Sequence, residues 1–276
     1  MFPAIFAKTY PGADAAQVLA AAAADGYRGV QFNLQCAGIA SVPDTLPEGL
    51  AEGVALAAAA TGVMLSALSG TYNMAHPEPA VRARGRAGFA QVLRAAQRMG
   101  APIVTLCTGT RHPSNMWAPH PDNAYASAWS DLRAELDVIL PWAEAAGVRL
   151  GVEPEHANVV ADADLARRLL DEVKSPYLGI VLDAANLLSP LALPRQREVM
   201  DHAFDRLGDA LLLAHAKDMD AQGGVVGAGQ GAVDLDHFAA RLREVGYAGA
   251  LVGHGFELKD ARSSAMTLQR LCEGAA

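Results

Sequence analysis

The sequence predicts an α/β fold, a closed (β/α)8 TIM barrel in which eight parallel strands alternate with eight helices. Eight short apolar runs alternate with longer stretches rich in Ala, Leu, Arg and Glu. The joints from helix to strand are short, and most carry a glycine, whereas the joints from strand to helix are longer and more polar. The 276 residues suit one barrel, so residues 1–276 are predicted to form a single (β/α)8 barrel domain.

The individual elements follow from these alternating stretches. Strands are predicted at Ala4–Lys8, Gly29–Asn33, Val63–Ala67, Pro102–Cys107, Val148–Glu153, Leu178–Asp183, Ala210–His215 and Ala250–His254. Helices are predicted at Ala15–Ala24, Leu50–Ala60, Ala80–Met99, Ala128–Ala146, Ala163–Val173, Gln196–Leu207, Leu235–Val245 and Ala261–Leu271. Glycines such as Gly100, Gly147 and Gly208 are expected to end helices, and Asp162 and Asp234 to cap helix N-termini.

A doubly wound open sheet is the competing architecture. It requires a glycine-rich phosphate loop after the first strand, and Lys8–Gly12 does not supply one. The glycine cluster Gly223–Gly231 instead follows the seventh strand and is predicted to be a mobile lid. The closed barrel is therefore favoured. In such barrels ligands bind where the strands end, among the long loops.

Composition limits the classes of partner. The formal net charge of −8 leaves no basic surplus for nucleic acid. Three scattered cysteines suit neither a disulfide framework nor a cysteine zinc cluster, and no apolar run is long enough to cross a membrane. A cytoplasmic protein without nucleic-acid or membrane partners is expected, and a homo-oligomer remains open.

Four strand ends carry groups that can bind a metal ion. Glu153, Asp183, His215 and Glu257 follow strands five to eight, so they are expected to meet at one mouth. Each acid alone could equally cap a helix or pair with a basic side chain, but together they predict one divalent ion. Mn²⁺ is the first choice, with Mg²⁺, Co²⁺ or Zn²⁺ as alternatives. Alternation counted from Glu257 places His254 outside this ligand set, in a supporting role.

Several segments carry a family resemblance: GVEPE at 151–155, VLDAANLL at 181–188, AHAKD at 214–218 and GYAGALVGHGFE at 246–257. They resemble the sugar isomerase and epimerase superfamily of xylose isomerase-like barrels, which contains tagatose 3-epimerase-type enzymes. The resemblance implies a (β/α)8 barrel with one divalent metal held by the four strand-end residues. It also implies that Glu153 and Glu257 form the proton-transfer pair.

The chain departs from the family pattern at one position beside the predicted site. Asn186 stands where the ketose epimerases and the related apurinic-site endonucleases carry a histidine, three residues after the aspartate. The stretch Asp234–His237 also departs from the endonuclease pattern. Together with the negative net charge, this makes the endonuclease a distant alternative.

The expected activity is that of a metal-dependent ketose epimerase or isomerase acting through an enediolate on a sugar or sugar phosphate. Dehydration of a keto-sugar or keto-inositol on the same site is an alternative, and a non-catalytic sugar-binding barrel is a more distant one. Lys217 could bind a substrate oxygen or pair with Glu257. The candidate substrate contacts are Glu155, His156, Asn186, Lys217, Arg111, His112 and Trp117.

Overall fold

A computed structural model describes residues 1–188 and 190–274, and it confirms the predicted (β/α)8 barrel. Eight parallel strands close in the order β1-β10-β7-β6-β5-β4-β3-β2, and β8 and β9 form a separate antiparallel hairpin. The strands are β1 Phe2–Phe6, β2 Gly29–Phe32, β3 Met64–Ser69, β4 Ile103–Cys107, β5 Arg149–Glu153, β6 Leu178–Asp183, β7 Leu211–Ala216, β8 Asp218–Met219, β9 Val225–Val226 and β10 Ala250–Gly253.

Within the described residues eight α-helices surround the barrel, and each follows a barrel strand. They are α1 Ala15–Ala24, α2 Leu50–Thr61, α3 Pro79–Met99, α4 Ala126–Ala146, α5 Ala163–Val173, α6 Gln196–Leu207, α7 Leu235–Glu244 and α8 Ala261–Glu273. All of these bounds lie within two residues of the prediction. The largest shift among the strands is β1, which starts at Phe2 because the Phe2 amide donates to Gly249 O and pairing with β10 begins there. Lys8 consequently lies in a 3-10 turn, Ala7–Thr9.

Helix ends follow the predicted capping chemistry with one exception. Asp162 accepts from the Leu165 amide and Asp234 from the His237 amide, so both act as N-caps. Gly147 ends α4 in the left-handed conformation, as expected. Gly208 does not: its φ is −57°, and the chain continues into a 3-10 turn. A Cβ at Gly208 would lie 2.8 Å from Val245 Cγ1, so close packing against Val245 accounts for glycine there.

An apolar layer closes the inside of the barrel below its C-terminal mouth. It consists of Ala4, Ala67, Ile103, Val181, Leu213, Ala250 and Val252. Successive side chains on a strand point to opposite faces, so a residue two positions later points inward again, one layer higher. Val181 is followed in this way by Asp183, Leu213 by His215, and Val252 by His254. The strand pattern therefore places these three polar side chains directly above the apolar layer, which forms an apolar floor beneath them.

The glycine-rich segment predicted as a lid is anchored to the barrel. The buried carboxylate of Asp218 accepts from the amides of Gly229, Gly231 and Val233. Residues 223–231 do not line the mouth cavity. Ligand-dependent mobility of this segment stays a prediction. Among the described helices, none is long and apolar enough to cross a membrane.

Candidate metal centre

Three strand ends bring a carboxylate, an imidazole and a second carboxylate together. His215 Nδ1 lies 3.4 Å from Glu153 Oε1 and 3.6 Å from Asp183 Oδ2. All three side chains are almost completely buried. Asp183 and His215 are opposite each other in the β6–β7 register, which explains their proximity. Three of the four predicted ligands thus meet at the mouth.

Glu257 does not join them, and this corrects the predicted placement of the fourth ligand. Its side chain is 75% exposed, and its Oε2 lies 2.7 Å from Lys259 Nζ. This ion pair holds the pKa of Glu257 below its ordinary value. β10 ends at Gly253, and Gly255 has a φ of +85°, so strand alternation no longer applies at Glu257.

His254 occupies the position predicted for Glu257, contrary to the supporting role expected of it. Its ring stacks on that of His215 with centroids 4.9 Å apart and planes 9° from parallel. Ligand atoms of Asp183, His215 and His254 all lie within 4.8 Å of one another. The sequence did carry a signal for His254. Ala250 and Val252 point into the barrel, and His254 is the next residue in this alternation.

Three buried atoms in this cluster lack hydrogen-bond partners: Asp183 Oδ2, His215 Nδ1 and His254 Nδ1. A buried polar atom without a partner costs roughly 1–3 kcal/mol, so such a convergence calls for an explanation. The other oxygen of Asp183 is satisfied by the amides of Ala185 and Asn186. Two imidazoles and a carboxylate with ligand atoms within 4.8 Å of one another fit the donor chemistry of a divalent metal ion.

The electrostatics of the cluster also favour a cation. Burial opposes charge on His215, but Glu153 and Asp183 outweigh it and raise the His215 pKa to about 9. Although burial alone would raise it, the charges of His215 and Lys217 hold the pKa of Asp183 below its ordinary value. Burial and the neighbouring His215 charge lower the His254 pKa to about 4. The carboxylates thus hold one positive charge at the point where an ion would bind.

A chain of hydrogen bonds supports Glu153 from the outside of the cluster. Asn186 Nδ2 donates to Glu153 Oε1 at 2.7 Å, and Lys217 Nζ donates to Asn186 Oδ1 at 2.9 Å. Lys217 therefore contacts Asn186 and not Glu257. Asn186, which replaces the family histidine, holds the carboxylate in place. Glu155 lies at the edge of the same mouth, and burial together with Glu153 raises its pKa to about 7.

The opposite half of the mouth is lined by uncharged polar groups and by Lys8. Gln31 Oε1 lies 2.7 Å from His215 Nε2, and the amide nitrogen of Gln31 donates to Ser69 and Thr105. Gln31 was missed in the sequence, since one uncharged residue inside a strand run carries no distinguishing signal. The mouth encloses about 540 Å³. Its lining residues include Phe6, Lys8, Gln31, Asn33, Ser69, Thr71, Thr105, Cys107, Trp117, Glu153, Glu155, Asn186, Lys217 and His254.

The remaining predicted substrate contacts lie at different places around the barrel. Trp117 is 55% exposed and lines the mouth. Arg111 is buried, with Nη1 2.7 Å from Asp131 Oδ2, so its guanidinium is engaged in holding the loop. His112 accepts from the amide of Asn115 in the same loop. His156 lines a separate outer groove of about 630 Å³, which contains none of the clustered ligand atoms.

Comparison with known proteins adds a family and several similar folds. Residues 19–270 match the family model described as xylose isomerase-like TIM barrel. No curated protein sequence matches the chain. A 3-keto-D-glucoside 4-epimerase from E. coli superposes with a TM-score of 0.72 at 18% identity, covering 94% of this chain and 95% of that one.

Two further solved structures have similar folds. A D-allulose 3-epimerase from Methylomonas sp., in complex with D-allulose, has a TM-score of 0.69 at 17% identity and covers 98% of this chain and 90% of that one. A D-psicose 3-epimerase with D-tagatose from Clostridium cellulolyticum H10 has a TM-score of 0.72 at 14% identity, with 99% and 98% coverage. At these identities the likeness shows a common fold.

Proposed function

The chain belongs to the family of xylose isomerase-like TIM barrels, and on that premise we propose that it is a divalent-metal-dependent sugar isomerase or epimerase. The observation that carries the proposal is the convergence of Asp183 Oδ2, His215 Nδ1 and His254 Nδ1, all buried and unpartnered, beside the carboxylate of Glu153. Proton transfer next to a sugar carbonyl requires such a base beside an electrophilic centre.

Four residues would hold the ion: Glu153, Asp183, His215 and His254. Two imidazoles and two carboxylates suit borderline ions such as Co²⁺ or Zn²⁺ best, and Mn²⁺ better than Mg²⁺, which prefers an all-oxygen set. A bound divalent ion would polarise the substrate carbonyl and stabilise the negative charge of an enediolate. With His254 in place of Glu257, the ligand set contains two carboxylates instead of the predicted three. The site should therefore prefer softer ions than the predicted set would.

Glu153 is the proposed base. Asn186 fixes its carboxylate, and the apolar floor beneath it limits access of water from below. Taking a proton from the carbon beside the carbonyl and returning it to the neighbouring carbon interconverts an aldose and a ketose. The proton of the hydroxyl on the neighbouring carbon moves to the former carbonyl oxygen. The reaction is therefore balanced without any external oxidant.

The positions of the carboxylates favour isomerisation over epimerisation. Glu153 and Glu155, the two carboxylates that line the mouth in the described part of the chain, both come from the end of β5. One face of a bound sugar would therefore meet a base. Isomerisation can proceed on that single face, whereas inversion of a carbon requires a second proton donor on the opposite face. With Glu257 on the surface, no glutamate from another strand lines the mouth among the described residues.

The proposed substrate is a sugar. Amide and hydroxyl groups of Gln31, Asn33, Thr71 and Thr105 line the mouth and match the hydroxyls of a carbohydrate, and Trp117 offers a flat apolar surface at the rim. The guanidinium of Arg111 is paired with Asp131, so it is not free to bind a phosphate.

The test combines metal loading with proton NMR in D₂O. Metal-free protein is incubated with Mn²⁺, Co²⁺ or Zn²⁺ and a panel of aldoses and ketoses. We expect metal-dependent interconversion of an aldose and ketose pair, with deuterium entering beside the carbonyl and the reaction stopping on addition of chelator. Formation of a carbon epimer from a ketose would instead identify an epimerase. Absence of metal binding to the wild-type protein would overturn the proposal.

A further inference from the structure

Gln31 is buried at the end of β2, across the barrel from the metal cluster that it contacts. It is 4% exposed, and its Oε1 lies 2.7 Å from His215 Nε2. Its amide nitrogen has two partners of its own, Ser69 Oγ at 3.1 Å and Thr105 Oγ1 at 3.2 Å. Every polar atom of the Gln31 side chain therefore has a partner, and these partners come from β3, β4 and β7.

The two nitrogens of His215 have different surroundings. Nδ1 faces Glu153 and Asp183 and has no hydrogen-bond partner, whereas Nε2 faces Gln31. A neutral imidazole carries one N–H and one lone pair, and only the nitrogen with the lone pair can bind a metal ion. An acceptor at Nε2 places the N–H there and leaves the lone pair on Nδ1, directed at the cluster.

The hydroxyls of Ser69 and Thr105 hold the Gln31 amide beside His215. Each can accept from the Gln31 NH₂ group, which turns Oε1 toward Nε2. A glutamine supplies this acceptor without adding a third negative charge to a cluster that already contains Glu153 and Asp183.

We infer that Gln31, oriented by Ser69 and Thr105, is a positioning residue that presents Nδ1 of His215 to the metal ion. The inference rests on the proposed metal site. Partners of this kind orient metal-binding histidines in other proteins, and their loss typically weakens metal binding by about 10–100-fold.

The test measures metal affinity in three single variants of the full chain. Gln31→Met keeps the length of the side chain and removes the acceptor, so the Kd for Co²⁺ should rise by about 10–100-fold in a calorimetric titration. Gln31→Glu keeps an acceptor facing Nε2 and adds a negative charge beside the cation, so its Kd should not rise above that of wild type. Gln97→Met is the matched control, because Gln97 is exposed on α3 and does not line the mouth. Its Kd should equal that of wild type.

A spectroscopic measurement separates positioning from general structural support. In Zn²⁺-loaded protein labelled with ¹⁵N-histidine, His215 should carry its proton on Nε2 and the metal on Nδ1. Coordination through Nε2 in the wild type would overturn the inference, as would equal losses of affinity in Gln31→Met and Gln31→Glu.

If Gln31→Met fails to fold, the double variant Ser69→Ala, Thr105→Val releases the amide and should still weaken binding, and unchanged binding would count against the inference. Wild-type protein that binds no ion overturns the proposed function as well, whereas tight binding that Gln31→Met leaves unchanged overturns only this inference.

Discussion

The two halves of the barrel mouth differ in charge. The ends of β5, β6, β7 and β10 carry groups that can ionise, including Glu153, Asp183, His215 and His254, whereas β2, β3 and β4 contribute Gln31, Ser69 and Thr105. On the charged half, three buried atoms lack partners. On the neutral half, the amide of Gln31 is fully satisfied. We interpret the charged half as the site of chemistry and the neutral half as the part that orients it.

The largest expected effect is at Asp183 on the charged half. Asp183→Ala removes one proposed ligand and the acceptor for the Ala185 and Asn186 amides, so metal affinity should fall by more than about 100-fold. Asp183→Asn is the matched control, since it keeps an acceptor for these amides and removes the charge. Calorimetric titration with Co²⁺ measures both. Wild-type affinity in Asp183→Ala would place the ion elsewhere.

The next largest effect concerns Glu153. Glu153→Gln keeps the size of the side chain and one oxygen but removes the proton acceptor, so kcat should fall by roughly 10²–10⁴ while much of the metal affinity survives. Steady-state kinetics on the sugar identified by NMR, with the metal content of each sample measured, would show this. A kcat close to that of wild type would remove Glu153 as the base.

A moderate effect is expected from pH. The pKa of His215 is raised to about 9 in the metal-free protein, above its ordinary value of 6.5. Below that pKa, a proton must leave His215 before an ion binds, so the Kd should decrease by about tenfold per pH unit as pH rises from about 6 to about 8. In the metal-free protein, protonated His215 contributes to the free energy of unfolding. This contribution is complete below pH 6.5 and is lost as the pH rises through about 9. Calorimetry in two buffers of different ionisation enthalpy would count the released proton, and a pH-independent Kd would contradict the mechanism.

The smallest effect is expected at Glu257, which tests the correction of the ligand set. Glu257→Gln alters an exposed ion pair with Lys259, so the Kd for metal and kcat should both stay within about twofold of wild type. His254→Gln, in contrast, should weaken metal binding, because it removes an imidazole from the cluster. If Glu257→Gln weakens binding more than His254→Gln does, the sequence-based assignment of Glu257 was correct after all.

Much of the fold followed from local patterns. Apolar runs and helical stretches recur eight times, and Asp162 and Asp234 cap helices through hydrogen bonds to residues three positions later. Such features depend on neighbours in the chain, so they can be recognised without knowing the tertiary structure. The bounds were less certain, as at β1, where pairing with β10 determines the first residue.

The sequence alone determined the barrel and the meeting of Glu153, Asp183 and His215, because each lies within the last two residues of a strand whose alternation continues to that residue. Only the tertiary structure decided between His254 and Glu257, since the backbone leaves the strand after Gly253 and turns at Gly255, so the rule of alternation no longer applies. It also revealed Gln31, whose partners lie 38 to 184 residues away in the chain. Contacts of that separation arise from barrel closure, which brings β2 across from β7, and no local pattern encodes them.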